Sequence, residues 1–510
     1  MREPSDKSTE SETIENEPAL SGGVEAPPAP SASARLDHAA IRAIMMGILL
    51  AMFLSALEQT IVAPALPTIG RTLDDVGNLP WVVTAYLLAN TAMTPLFGKL
   101  SDIYGRRRMM LAAIVIFIAG SVACALAPNM PALIAARALQ GIGGGGILPI
   151  AQVIIGDMVT PMERARYQSY TAIMFMLASV IGPVVGGVMT DHLHWTLIFW
   201  INLPIGLVAL WMTDRALRRL PRNERPHRLD VAGTLLMVLA SIALMLVMTW
   251  GGQRYGWTSA PILGLLAAAS VLWILFALRI ATAPEPFIPL AVLREPVVAP
   301  VAVAGFFTVG TVIGLTIFLP VYFELVLGLT PSGSGTALIV FLAGTVTGAT
   351  SAGRMMVRIE HYRRIPVGAL VLGIVVLAVL AWRPQGLPLV AIGALLFASG
   401  ASLGVMYPMT TTIVQNAVAH HQLGIATGAL NFARQLGGAF IVAAFGAIVL
   451  GGVDAGGQGP TLETLRGGGH LGGGDFAGVF GILFAAGAAF LVAGLVAMLM
   501  VEERPLRGPS

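Results

Sequence analysis

The residue of this chain best placed to do chemistry is a carboxylate stranded in an apolar run: Glu58, within Leu57-Glu58-Gln59-Thr60-Ile61-Val62-Ala63-Pro64-Ala65-Leu66-Pro67. Removing a carboxylate from water disfavours its charged form, so such a group can take a proton from one side of a barrier and release it to the other. When ionised, it can hold a cation. The plainer readings are a permanent pair with a neighbouring arginine or a place at an interface. Arg137 opens Arg137-Ala138-Leu139-Gln140-Gly141. Its guanidinium does not readily deprotonate, so it is a fixed positive field able to tune a nearby carboxylate, unless it snorkels to the surface. Arg434 starts a similar Arg-Gln-Leu-Gly-Gly stretch, and Glu324 closes Val321-Tyr322-Phe323-Glu324, where an interfacial place competes with a second protonation site. Thr60, Gln140 and Asn431 join Glu58 and Arg434 as the polar residues expected to line a substrate cavity.

Two further motifs are mechanical. Gly98-Lys99-Leu100-Ser101-Asp102-Ile103-Tyr104-Gly105-Arg106-Arg107-Arg108 joins two apolar runs. Gly98 permits close helix approach, Gly105 a tight turn, and Asp102 with Arg106 and Arg107 can latch one conformation as a gate; a merely basic loop is the bland reading. Inside another run lies Gly182-Pro183-Val184-Val185-Gly186-Gly187. Pro183 removes a helix hydrogen bond, while Gly182, Gly186 and Gly187 admit a neighbouring helix, which suits a pivot or a seal. His192/His194 and His420/His421 lack convergent partners, so no metal site is expected. Cys124 reads as a small core residue. Without a Walker motif or a nucleophile–base set, ATP-driven work and hydrolysis have no support.

The elements that must position these residues are fourteen apolar runs: Ile41–Leu66, Trp81–Leu100, Met109–Ala127, Pro131–Ile155, Ser169–Met189, Leu197–Thr213, Val231–Trp250, Pro261–Ala281, Val297–Leu327, Ser334–Met356, Ile365–Trp382, Leu387–Val414, Ile425–Leu450 and Phe476–Val501. Each matches the ~20 residues that carry a helix across ~30 Å of hydrocarbon. A bilayer offers the backbone no water, so runs of this kind are helices. Composition agrees: 56% hydrophobic and 11% charged. Eighteen basic residues fall in alternate loops (Lys99, Arg106–Arg108, Arg164, Arg166, Arg215, Arg218, Arg219, Arg222, Arg225, Arg228, Arg279, Arg294, Arg354, Arg358, Arg363 and Arg364), against Arg71, Arg254, Arg383 and Arg466 on the other side. The positive-inside rule puts the arginine-rich side in the cytoplasm, and an even span count puts both termini there. Glu58 is then about 16 residues, roughly 25 Å of helical rise, from the cytoplasmic start of its span.

Spans 4 and 12 share a Gly-to-Pro spacing, Gly145-Gly146-Ile147-Leu148-Pro149 and Gly404-Val405-Met406-Tyr407-Pro408, and spans 5 and 13 each carry a Gly-Gly pair. These ranks agree only if a second six-helix unit starts at span 9, as paired repeats do in many transporters. The expected organisation is a disordered cytoplasmic tail (1–38), a six-helix bundle (39–214), a basic loop with two linker helices (215–296), a second six-helix bundle (297–502) and a short tail (503–510). Arg215–Asp230 is a basic connector and Gly451–Asp475 a Gly-rich external loop.

Together these segments resemble the major facilitator superfamily, in particular its fourteen-span drug:proton antiporter branch (QacA/EmrB type). Gly98–Arg108 is similar to the superfamily's loop signature, Arg137–Gly141 to the span-4 signature tied to proton coupling, and Gly182–Gly187 to the span-5 signature of exporters. Leu57–Pro67, Trp81–Tyr86 and Phe199–Gly206 resemble the branch's first, second and sixth spans. The chain departs at Glu58, where Asp is usual, at Ala63 for Asn, at Ile103 for a basic residue, and at Glu324 for Gln.

The resemblance implies an all-α membrane protein of the major facilitator fold: two six-helix bundles plus two inserted linker helices. It further implies a secondary transporter, no enzyme and no cofactor, exporting lipophilic, cationic drugs or toxic small molecules in exchange for protons across the cytoplasmic (inner) membrane. Glu58, Arg137 and Glu324 would serve proton coupling. Export of one endogenous metabolite or lipid, proton-symport import, and a transport-inactive sensor are the alternatives. Substrate, proton and lipid are the expected partners of a functional monomer, with a periplasmic adaptor allowed and nucleic acid not.

Overall fold

The computed structural model describes residues 38–75, 78–159, 161–218, 230–252, 254–287, 292, 294–356, 361–453 and 476–503. The expected tail at 1–37, the centre of the basic connector (219–229), the Gly-rich loop from 454 to 475, and 504–510 lie outside the described residues, as do Arg219, Arg222, Arg225, Arg228, Arg358 and Arg466.

Among the described residues fourteen long helices follow one another: α1 (His38–Ile61), α2 (Leu79–Tyr104), α3 (Arg106–Ala125), α4 (Met130–Met158), α5 (Pro161–His192), α6 (Asn202–Leu217), α7 (Val231–Trp250), α8 (Ala260–Thr282), α9 (Val298–Leu325), α10 (Pro331–Met356), α11 (Arg364–Trp382), α12 (Leu389–Ala417), α13 (Leu423–Val453) and α14 (Phe476–Leu499). Thirteen of these segments are long and apolar enough to cross a bilayer. The fourteenth, α2, carries Thr84, Asn90, Thr91 and Thr94 within its span. Their ends obey local rules. Pro131 begins α4 at a position where the missing N–H costs nothing, and the Asn129 side chain accepts from Ala132 N–H at 3.0 Å. Beyond Ile61, Pro64 cannot continue the ladder of α1. A 3₁₀ turn (Ala63–Ala65) and a short helix (Leu66–Thr72) replace it. One helical turn, Leu197–Trp200, precedes α6.

The packing repeats itself. In the first half α1 lies against α5 and α6, α4 against α2 and α3, and α3 against α6; in the second half α9 lies against α13 and α14, α12 against α10 and α11, and α11 against α14. Helices of equal rank make equal contacts, so α1–α6 and α9–α14 are two copies of one six-helix bundle. The halves meet where α2 crosses α13 and α5 crosses α10 and α12. Linker helix α7 covers the α2/α13 seam, while α8 packs chiefly on α7. Large apolar side chains such as Trp211, Ile274, Leu278 and Val390 face outward, as surfaces bathed in lipid tails do.

Asp230 fastens this linker hairpin. Its carboxylate caps α7, accepting from Gly233 N–H at 3.0 Å, and also accepts from Arg279 Nε and Nη2 at 3.0 Å near the end of α8. Burial pushes this carboxyl up, but Arg279 and the cap more than offset it and hold it below the usual range. A depressed value means stabilisation that is full above the ordinary carboxylate pKa and lost as pH falls through the folded one. Asp230→Ala is expected to cost about 1 kcal/mol, the worth of a cap, and to flatten the acid limb of a thermal-unfolding profile.

Candidate functional site

Glu58 is fully buried in the last turn of α1. One carboxylate oxygen is ion-paired with Arg137 Nη1 from α4, and the other accepts from Asn202 Nδ2 at the start of α6. Arg137 is 1% exposed; its Nε donates to the Val82 carbonyl at 2.9 Å and Nη1 also to Gln140 Oε1 at 2.6 Å. Its guanidinium stacks 4.5 Å from the Tyr86 ring centroid and 5.8 Å from that of Phe199. Ser121 of α3 closes the network, accepting from Gln140 Nε2 at 3.1 Å and Asn202 Nδ2 at 2.8 Å while donating to the Phe199 carbonyl at 3.0 Å. One acid thus ties together α1, α2, α3, α4 and α6. A carboxylate held in low dielectric by one guanidinium loses most of that attraction on protonation.

Beside the pair, α5 lies unusually close to α1. A Cβ at Gly182 would overlap Thr60 Oγ1, and one at Gly186 would overlap the Ile61 carbonyl. Thr60 uses its hydroxyl to bond the Ala178 carbonyl of α5 at 2.8 Å and Leu57 O at 3.1 Å. Its hydroxyl is thus a strut between the two helices, while the residue itself is half-buried. Gly187 meets nothing within 4 Å and takes no part in this contact, and α5 runs unbroken through Pro183.

Toward the arginine-rich side, hydrogen bonds cross between the halves. Asp102 accepts from the Gly424 and Ile425 N–H groups at 3.0 and 2.8 Å, at the first turn of α13, where the helix dipole favours an anion. Arg106 pairs with Asp102 and donates from Nε to Asp157 at 3.0 Å. Gly98 and Gly424 touch backbone to backbone, since a Cβ on either would enter the other's carbonyl. Gly105 turns the chain with φ 88°. Farther in, Thr91 Oγ1 donates to Gln435 at 2.7 Å, Gln435 Nε2 to Thr94 at 3.0 Å, Asn431 Nδ2 to Gln152 Oε1 at 2.6 Å, and Gln152 Nε2 to Tyr407 at 3.2 Å. The arginine-rich side is closed.

Two expected gate and coupling residues lie elsewhere. Arg107 pairs with Asp214 of α6, which Arg218 also holds at 2.7 Å, so it braces the first half and does not cross the seam. Glu324 accepts from Ser334 Oγ at 2.7 Å at the α9–α10 turn, and no described contact joins it to Glu58; the short local partner captures it. Arg434, by contrast, is 2% exposed among Tyr407, Thr410, Thr411 and Asn431.

The model of the Major Facilitator Superfamily matches residues 48–442. The chain belongs to that superfamily. It is 34% identical over 408 residues to "Multidrug transporter protein MdtP" of Bacillus subtilis (strain 168), covering 80% of this chain and 75% of that one. It is 30% identical over 411 residues to "Multidrug resistance protein 3" of the same organism, covering 81% and 80%. Among solved structures, the human organic anion transporter MFSD10 (TETRAN) superposes with a TM-score of 0.63 over 90% of this chain and 99% of that chain, at 15% identity, which speaks to the fold alone. This facilitator is therefore a multi-pass membrane transporter of the major facilitator fold, among relatives named for multidrug transport.

Sequence reasoning missed Asn202, Ser121, Gln152 and Tyr407. The signal was available for three of them. Asn202, Ser121 and Gln152 are polar residues inside apolar runs, and such residues inside a membrane mark working sites.

Proposed function

We propose that the facilitator exports lipophilic small molecules in exchange for protons, by alternating access across the cytoplasmic membrane, with its arginine-rich side and both termini in the cytoplasm. The observation that carries this reading is the buried Glu58–Arg137 pair beside the Gly182/Gly186 contact. With the cytoplasmic side closed and Glu58 paired, the molecule stands ready to take a proton from outside. Protonation turns Glu58 Oε into a donor and frees Arg137. Asn202 Oδ1, buried and without a partner, is an acceptor in the same network for the new O–H. The loosened α1 then lets the halves rock, the Asp102 latch on α13 opens, and substrate enters from the cytoplasm or inner leaflet. Proton release to that side restores the pair, and the return swing carries substrate out. The membrane potential contributes ~2.3 kcal/mol per charge per 100 mV, so one proton can sustain roughly a 50-fold gradient.

The names of the relatives support export over import, as does the glycine-rich α5. Everted vesicles from cells producing the facilitator decide it. Acidifying the lumen should drive uptake of fluorescent lipophilic dyes, and a protonophore should stop it. Uptake indifferent to the gradient, or driven only by the opposite gradient, overturns antiport.

A further inference from the structure

Five charged side chains are buried among the described residues: Glu58, Arg137, Arg164, Asp230 and Arg434. Arg164 stands in the first turn of α5 and Asp230 caps α7, so Glu58, Arg137 and Arg434 are the ones deep in the bundles. The first two neutralise each other. Arg434 does not share in this: its Nη1 donates to Asn431 Oδ1 at 3.0 Å and its Nη2 to the Tyr407 carbonyl, Thr410 Oγ1 and Thr411 Oγ1 at 2.8, 2.6 and 2.9 Å. These partners are neutral, and among the described residues no carboxylate is ion-paired with it. The Tyr407 ring, 4.2 Å from Cζ, adds a π face but no counter-charge. Arg434 Nε is buried and has no hydrogen-bond partner; Gly305 of α9 lies beside the Arg434 side chain and presents no side chain of its own, a Cβ built there falling 3.6 Å from Nε.

A guanidinium kept inside a membrane without an anion is expensive, and neutral acceptors do not by themselves require a charged donor. What needs explaining is the charge. The seam supplies the explanation. In the closed state Gln152 of the first half accepts from Asn431 Nδ2 and donates to Tyr407 Oη. When the halves part on this side, Gln152 leaves with α4. Arg434 and Asn431 Nδ2 then remain as a cluster of donors with net positive charge, facing the space through which substrate enters.

We propose that Arg434, with Asn431 and Tyr407, is a substrate subsite for an anionic or strongly hydrogen-bond-accepting group, a carboxylate or its equivalent on an otherwise lipophilic molecule. The cationic substrates expected from the sequence fit the charge arithmetic poorly. With Glu58 ionised the deep charges sum to one positive, and with Glu58 protonated to two. A lipophilic cation meets repulsion in both states, an acid in neither.

This subsite rests on the transporter reading, yet its test needs no gradient and so stands apart from proton coupling. Full-length protein in nanodiscs is dialysed to equilibrium against radiolabelled 1-naphthaleneacetate, its neutral amide, and 1-naphthylmethylammonium. The wild type should bind the carboxylate at least tenfold more tightly than the ammonium, with the amide between. Arg434→Gln, which keeps amide donors and loses the charge, should weaken carboxylate binding at least tenfold while leaving the amide within about twofold. Arg434→Lys should retain much of the preference, and thermal unfolding of each variant confirms that it is folded; should Arg434→Gln not fold, the Arg434→Lys result and the wild-type preference decide. Preference for the ammonium, no binding of the carboxylate by the wild type, or an unchanged carboxylate-to-ammonium ratio in Arg434→Gln overturns the proposal. A wild type that shows this preference but no pH-driven flux counts against coupling and in favour of the subsite.

Discussion

Arg137→Met should destabilise the facilitator by about 3–5 kcal/mol, because removing one partner of a buried pair leaves the other charge without compensation. Glu58 is fully buried, so little water solvates its charge once the guanidinium is gone. It must either stay charged in hydrocarbon or take up a proton and remain neutral, so the variant that does fold should transport without responding to pH. The companion change distinguishes this from damage to packing. Adding Glu58→Gln to Arg137→Met removes the orphaned charge and should recover most of the lost stability, but none of the pH-driven transport. Urea or thermal unfolding of the four proteins of this double-mutant cycle gives the coupling energy directly. A loss under about 1 kcal/mol for Arg137→Met, the range of an ordinary exposed pair, would mean the pair carries little.

Gly98→Val is the second large effect. The new Cβ would enter the Gly424 carbonyl, which is backbone and cannot swing aside as a flexible side chain would. Overpacking of this kind costs about 1–3 kcal/mol, and here the cost falls only on the state in which α2 and α13 touch. A two-state equilibrium biased by that amount moves roughly 5- to 150-fold, toward the form open on the arginine-rich side. Gln415, buried at the seam and bonded to the Gln152 carbonyl at 3.1 Å, is a suitable reporter. With Cys124 replaced by Ser, a cysteine substituted at Gln415 should react at least tenfold faster with a membrane-impermeant thiol reagent applied to that side when Gly98 is Val. Equal rates would mean that the glycine contact does not govern closure.

Much of the fold was readable because the bilayer constrains it so heavily. Run length and apolarity gave α1–α14 to within a few residues, with the main differences at α5, which begins at Pro161, eight residues before the expected Ser169, and at the Pro64 break after α1. The echo of Pro149 and Pro408 at equal rank gave the six-two-six order that the repeated helix pairings display. The site was readable in part. A lone acid and a lone arginine inside apolar runs have few partners available, and Glu58 did meet Arg137. Their neighbours were harder to assign because a helix apolar on all sides has no amphipathic stripe to fix its rotation about its own axis. Nothing in the run around Glu58 says that it faces Asn202 of α6, or that Thr60, two residues on, turns to α5. The same ambiguity hid the local capture of Glu324 by Ser334 and of Arg107 by Asp214. Nor could the sequence say which side is closed, because run length and apolarity do not set how the two halves lean on each other.

Glu58→Gln tests the central claim most directly. Glutamine keeps the size of the side chain and can accept from Arg137 through its carbonyl, but it cannot carry a proton between the two faces. Purified wild-type and Glu58→Gln proteins, reconstituted in liposomes, are compared for exchange of a transported dye at equal pH and for its accumulation against a gradient under an imposed pH difference. The account predicts that the variant folds, still exchanges dye, and loses pH-driven accumulation by at least a hundredfold. Accumulation by Glu58→Gln at the wild-type level, with the same dependence on the pH difference, would contradict it.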